Sequence, residues 1–125
     1  MTPQPVVRYF RLIDFACPCC SRVRVALPLV LLLDALRSAL STPLRITSGY
    51  RCLGHNAAVG GTTKSRHLIG CAADIVPICY RPGWYDRIAP ALAAFGLEVV
   101  TYKDRPHLHI GVPRAFEDPS FDWLE

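Results

Sequence analysis

Residues Ser65 to Asp74 read SRHLIGCAAD. His67 and Asp74 stand seven positions apart, with the small residues Gly70, Ala72 and Ala73 between them. Small residues let the backbone turn tightly, so a side chain before the turn and one after it can converge. An imidazole nitrogen and a carboxylate oxygen are both good zinc ligands, at about 2.0–2.2 Å. Two ligands do not make a site, so this stretch requires a third from elsewhere in the chain.

Residues Asp104 to Ile110, DRPHLHI, can supply it. Strand side chains alternate between faces, so His107 and His109 point one way and Leu108 and Ile110 the other, into a core. With His67 and Asp74 that makes four groups aimed at one region. A catalytic zinc typically uses three protein ligands and keeps one position for water, which leaves the fourth group free to carry a proton. Spacing alone does not separate this reading from a solvated strand face with an unrelated acidic residue nearby.

Working outward, Phe10, Leu12 and Phe15 form a short mixed segment suited to packing on a core. Leu29, Leu32, Leu33, Leu36 and Leu40 recur at helical spacing, with Pro28 in the first turn and Ser41, Thr42 and Pro43 as the stop. Leu44 to Thr47 alternates as a strand. Ser48 to Lys64 is a polar, glycine-rich loop, with one helical turn expected at Ala57, Ala58 and Val59 and a forced turn at Gly60-Gly61. Ser65 to Gly70 reads as a short helical segment and Ala72 to Val76 as a buried strand. A second helix is expected over Trp84 to Phe95, kinked or split by Pro90 and closed by Gly96. Leu97 to Tyr102 and His107 to Val112 form a hairpin around Lys103, Asp104, Arg105 and Pro106. Phe116, Phe121 and Trp123 are expected to pack the tail back on the domain.

The composition bounds what such a chain does. At 125 residues it suits a single domain with one core, spanning 1–125, with the organised part at roughly residues 8 to 112 and a tail at 113–125. Apolar residues make up 51% of it, so it is globular and not disordered. The net charge of +4 favours anionic partners, but no dense Lys/Arg tract or aromatic-basic platform is present, which argues against nucleic acid. The apolar run from Val25 to Leu36 is interrupted by Asp34 and too short for a membrane span. The start, MTPQPVVRYF, carries no cleavable signal pattern, so synthesis and retention in a cytoplasm are expected, with release to the wall by lysis or another protein. A monomer is expected. Of the six cysteines, Cys17, Cys19 and Cys20 cluster in CPCC; reduced, partly buried thiols are favoured there over a second zinc or a disulfide to a distant cysteine.

Ser65-x-His67-x-x-Gly70-x-Ala72-x-Asp74 resembles the S-x-H-x-x-G-x-A-x-D signature of the zinc D-Ala-D-Ala carboxypeptidase and murein endopeptidase family. The preceding ITSGYRCLGHNAAVGG, Ile46 to Gly61, is similar to the S-G-Y-R-x-x-x-H-N-x-x-V-G-G segment of that family's small single-domain branch, and FACPCC with the Leu-rich helix resembles its N-terminal part. The resemblance implies an α+β fold of the hedgehog/DD-peptidase kind, a small antiparallel sheet with flanking helices. It implies a zinc metallopeptidase acting on peptidoglycan stem peptides, with His67 and Asp74 as zinc ligands. It further implies a substrate-holding Arg51 and a cleft shaped by Ser48, Tyr50, Ser65, His55 and Asn56. Its H-x-H members use the second histidine on zinc, which gives His109 as third ligand and His107 as catalytic helper. Its D-x-x-H members use an acidic base before a single histidine, which would give His107 on zinc and Asp104 as base. The apolar-His-apolar triplet Leu108-His109-Ile110 favours the first alignment. A leaderless single domain of this kind suits a phage or prophage endolysin. A zinc-bearing binding module without hydrolysis is the alternative that the wider fold allows.

Overall fold

The structure is a computed structural model that describes residues 7–113 and 123–124 of the chain. Its centre is a four-stranded antiparallel sheet built from β2 (Leu44–Ser48), β3 (Ala72–Pro77), β4 (Glu98–Thr101) and β5 (Leu108–Gly111), in the spatial order β2-β3-β5-β4. Helices α1 (Leu27–Leu40), α2 (Leu53–Ala58) and α3 (Ile88–Ala94) and two 3-10 turns, η1 (Leu12–Phe15) and η2 (Arg66–Ile69), surround it. This is the α+β arrangement expected from the sequence. Among the described residues, no helix is long and apolar enough to cross a membrane.

The core lies between α1 and one face of the sheet. Leu29, Val30 and Leu33 of α1 are buried together with Ala73, Ile75, Leu108 and Ile110 of the two inner strands. Pro28 sits in the first turn of α1, where its missing N–H costs nothing, and Ser41 ends the helix in the left-handed region. Phe10 and Phe15 join the core, whereas Leu12 stays exposed, because η1 turns that side chain outward. Asp34 of α1 accepts the backbone N–H groups of Arg8 and Tyr9 at 3.0 and 2.8 Å, tying the N-terminal segment to the helix.

Three elements differ from the sequence expectation. Helix α3 begins at Ile88, and Trp84 to Arg87 form successive tight turns ahead of it. Starting there puts Pro90 in the first helical turn, where no intrahelical N–H is needed, so neither a kink nor a split arises. Helix α2 runs from Leu53 and not from Ala57; its N-cap is the Cys52 thiol, which accepts the His55 N–H at 3.4 Å, a weak signal beside the usual Ser, Thr or Asp. The β4–β5 hairpin is shorter at the turn than expected, so His107 precedes the strand by one residue. Of the tail, the backbone of Trp123 and Leu124 pairs as β6 with β1, Val25–Ala26; Phe116 and Phe121 lie outside the described residues.

Register positions the polar groups. Strand β3 pairs Asp74 directly with His109 of β5, and β5 pairs His109 with Val100 of β4. On the other side of β3 the ladder slips between Ile46 and Ser48, bringing Ser48 opposite Asp74. An extra residue of this kind re-aims the side chains that follow it. Ser48, Asp74, His109 and Val100 thus form one row across all four strands.

Candidate metal centre

The SRHLIGCAAD stretch folds around its glycine. The Ser65 hydroxyl accepts the His67 N–H at 3.2 Å and caps η2, and Gly70 closes the turn at φ +74°. A Cβ on Gly70 would lie 2.2 Å from the Arg24 carbonyl oxygen, so only glycine fits both the dihedral and the space. The chain then enters β3, every residue of which is buried, and delivers Asp74 back toward His67.

His67 is 2% exposed. Its Nδ1 lies 2.8 Å from the carbonyl oxygen of Gly49. A carbonyl only accepts, so Nδ1 carries the proton and Nε2 presents a lone pair. That Nε2 has no hydrogen-bond partner, although it stands 3.3 Å from Asp74 Oδ1. Two acceptors facing each other in a buried place is an arrangement that a cation resolves, since an unsatisfied buried polar atom is costly.

His109 shows the same pattern. Its Nε2 lies 2.6 Å from Glu98 Oε1, and its Nδ1 lies 3.1 Å from Asp74 Oδ1. Burial opposes a charge on this ring, but the carboxylates of Asp74 and Glu98 outweigh it and raise the pKa above the usual imidazole value. For Asp74, burial works against ionisation, yet the contact with the His109 ring outweighs it and holds the carboxyl well below the ordinary carboxylate range. Without an ion, a proton on His109 Nδ1 neutralises the Asp74 oxygen. His67, Asp74 and His109 each offer one ligand atom, all within 4.8 Å of one another, and all three residues are buried. The donor set of two imidazoles and one carboxylate suits zinc. Metal-bound histidines usually donate their other ring N–H to a carboxylate or a backbone carbonyl, and here Glu98 and Gly49 occupy those places.

Around this centre Arg51 is only 14% exposed in its side chain. Its Nε donates to Ser48 Oγ at 3.0 Å, NH1 to Asn56 Oδ1 at 3.3 Å and NH2 to Asp74 Oδ2 at 3.5 Å. Tyr50 is held through its backbone, its N–H donating to the Phe15 carbonyl at 2.8 Å. Two adjoining depressions, of about 300 and 550 Å³, share Arg51, Gly60, Gly61 and Tyr102 in their walls. His67, His109, Glu98 and Ser65 face the smaller one; Asp74, His107, Ser48 and His55 face the larger. The His107 ring stacks against Tyr102 with centroids 4.5 Å apart. Partial burial lowers its pKa below the usual imidazole value, despite the opposing pull of Asp74. Asp104 is exposed in the turn and lines a third depression with Trp84 and Tyr85, which adjoins the larger one at Arg105.

Two residues of the site escaped the sequence reading. Glu98 sits diagonally from His109 across β4 and β5, with a further ion pair to Arg66 at 3.4 Å. Its one signal is an acidic residue set between Leu97 and Val99, at the start of β4. Gly111 makes room for it, since a Cβ there would lie 3.0 Å from Glu98 Oε1. Tyr102 was read only as a strand end, and nothing in its spacing marks it as a wall of the cleft.

A buried His/Asp/His cluster beside an open cleft, each imidazole oriented by a partner behind it, makes a candidate metal centre. The family profile described as Peptidase M15 matches residues 12–111, most of the chain. The chain belongs to this peptidase family, as the sequence resemblance implied. No curated protein matches it.

Proposed function

We propose that the chain is a zinc peptidase that hydrolyses amide bonds in peptidoglycan stem peptides, with His67, Asp74 and His109 as the zinc ligands. The observation that carries this reading is the buried, unpartnered Nε2 of His67, held in its ligating tautomer by the Gly49 carbonyl. Zinc supplies an acidified water and a Lewis acid for the scissile carbonyl.

The chain's own residues do the rest. His107, neutral near pH 7 because its pKa is depressed by burial, accepts the water's proton and returns one to the leaving amine. Tyr102, packed on its ring, keeps it facing the cleft. Asp104, exposed in the neighbouring turn, would be the base instead if His107 were the ligand. Arg51 commits one N–H from each of its three nitrogens, which leaves two of its five donors for a substrate carboxylate or carbonyl. Ser48 holds Arg51 in place, Ser65 holds the turn that carries His67, and Tyr50 borders the loop between them. Lys64, Arg66 and Arg105 add positive charge to the cleft walls, which suits the carboxylates of a stem peptide. Carboxypeptidase action on D-Ala-D-Ala and endopeptidase action within the stem both fit this cleft; only the endopeptidase cut severs the network, and a wall-lysing role in the manner of an endolysin goes with that cut alone.

The test is incubation of the zinc-loaded protein with purified peptidoglycan, followed by mass spectrometry of the fragments. Release of D-alanine or of cut stem peptides, abolished by a chelator and restored by zinc, is expected. Zinc binding without cleavage of any stem-peptide bond would overturn the enzyme reading in favour of a binding module.

A further inference from the structure

Beside the SGYRC loop lies a second set of metal-ligating groups. The sulfurs of Cys17, Cys20 and Cys52 all lie within 4.8 Å of one another, and none of the three is in a disulfide. We propose that Cys17, Cys20 and Cys52 bind a second zinc, a structural ion that pins the N-terminal segment to the loop carrying Arg51.

The distances favour an ion over a disulfide. Cys17 Sγ and Cys52 Sγ are 3.7 Å apart. A disulfide needs about 2.05 Å. Two thiolates each about 2.3 Å from one tetrahedral zinc stand about 3.8 Å apart, the edge of the tetrahedron. The observed spacing is therefore that of two ligands around a common centre.

The backbone is arranged for a thiolate. Cys17 and Cys20 have the C-x-x-C spacing common at structural zinc sites. Burial works to raise the pKa of the Cys17 thiol, but the backbone of Cys52, Cys20 and Cys19 outweighs it and brings the group down to about 7. N–H donors around a buried sulfur stabilise its anion, the form that binds metal. Cys52 Sγ accepts the His55 N–H in addition.

The position gives the ion a purpose distinct from catalysis. Cys17 follows η1, whose Phe15 carbonyl holds the Tyr50 N–H, and Cys52 directly follows Arg51. A metal here joins segments 35 residues apart beside the guanidinium that touches Asp74. In a small domain such a staple adds stability that the core alone does not supply.

The experiment counts zinc per chain under reducing conditions and uses cobalt as a probe, since thiolate ligands give cobalt an intense near-ultraviolet charge-transfer band that imidazole and carboxylate do not. The wild-type protein loaded with Co²⁺ is expected to show that band. A His67→Ala/His109→Ala variant is expected to keep it together with one metal ion, so this site is judged separately from the peptidase centre. Cys20→Ser, at an exposed position, is expected to lose the band and to melt at lower temperature, while Cys79→Ser keeps both. Absence of the band from the wild-type protein, with Cys17 and Cys52 either freely alkylated or joined as a disulfide in the mass spectrum, would overturn the proposal.

Discussion

Glu98 Oε1 and His109 Nε2 lie 2.6 Å apart, between β4 and β5. The contact decides which nitrogen of His109 is left for a metal: Nε2 carries the proton toward the carboxylate, and Nδ1 faces Asp74. Glu98→Ala is therefore expected to weaken zinc binding by about 10–100-fold, the usual effect of removing an outer-shell partner. Competition titration with a chelating dye measures it.

The same pair sets a pH dependence. Zinc must displace the proton that Asp74 and Glu98 stabilise on His109, whose pKa is raised by them. At fixed total zinc, loading is expected to be lost as pH falls through that raised pKa. Glu98→Gln removes one of the two charges that raise it, so the midpoint of loading should move to lower pH even as affinity at high pH declines. A midpoint that stays in place or moves upward would contradict this account. In the metal-free protein the sign for stability is opposite: the raised pKa contributes stability fully present below the ordinary imidazole value of about 6.5 and lost as pH rises through the raised one.

His107 and His109 separate in their expected effects. His109→Ala should lose bound zinc. His107→Ala should keep it and lose about 10²–10⁴-fold in kcat, the range for a removed general acid–base group. With zinc kept saturating across the pH range, the acid limb of the wild-type activity profile should lie below the ordinary imidazole value, in the direction burial moves His107. Full zinc in His109→Ala together with loss in His107→Ala would reverse the assignment and return Asp104 to consideration.

Gly49 supports His67 from behind. A Cβ on it would lie 2.6 Å from both the Cα and the carbonyl oxygen of Phe15, backbone atoms that have no way to rotate aside. Gly49→Ala is expected to cost about 1–3 kcal/mol, as overpacking does. It should also reduce zinc content, because the displaced carbonyl is the one that fixes the His67 tautomer. Thermal denaturation with and without added zinc checks both.

Arg51→Lys keeps the charge but gives up the fork that reaches Ser48, Asn56 and Asp74 at once. The expected result is a raised KM for stem peptides and a loss of about 1–3 kcal/mol of stability from unpaired half-buried groups. Zinc content should be retained, which separates this effect from loss of a ligand.

The legible parts of this molecule were those with short-range patterns. The Leu stripe of α1, the β3 run and the position of Gly70 follow from period and from turn chemistry. The spacing of His67 and Asp74 and the alternation around His109 pointed to one neighbourhood, and their ligand atoms lie together. What was not legible depends on tertiary context. Glu98 matters through a diagonal across two strands, which no local pattern encodes. The start of α2 relies on a sulfur cap outside the usual set, and α3 is shortened because Pro90 is tolerated only in a first turn.

The row that β3 and β5 form across the sheet has a consequence for assembly. His67 and Asp74 come from one local unit, η2 with β3, whereas His109 and Glu98 come from the β4–β5 hairpin. Neither unit by itself holds a complete ligand set. Only when Asp74 pairs with His109 do the two halves of the centre meet. A metal that needs all three ligands therefore binds the finished sheet and bypasses its precursors, so it acts as a lock fitted last. By mass action, zinc at a hundred times its Kd would hold that docking closed by about 2.7 kcal/mol. Chelation should accordingly open the β3–β5 seam, seen as faster amide exchange there, before it melts α1.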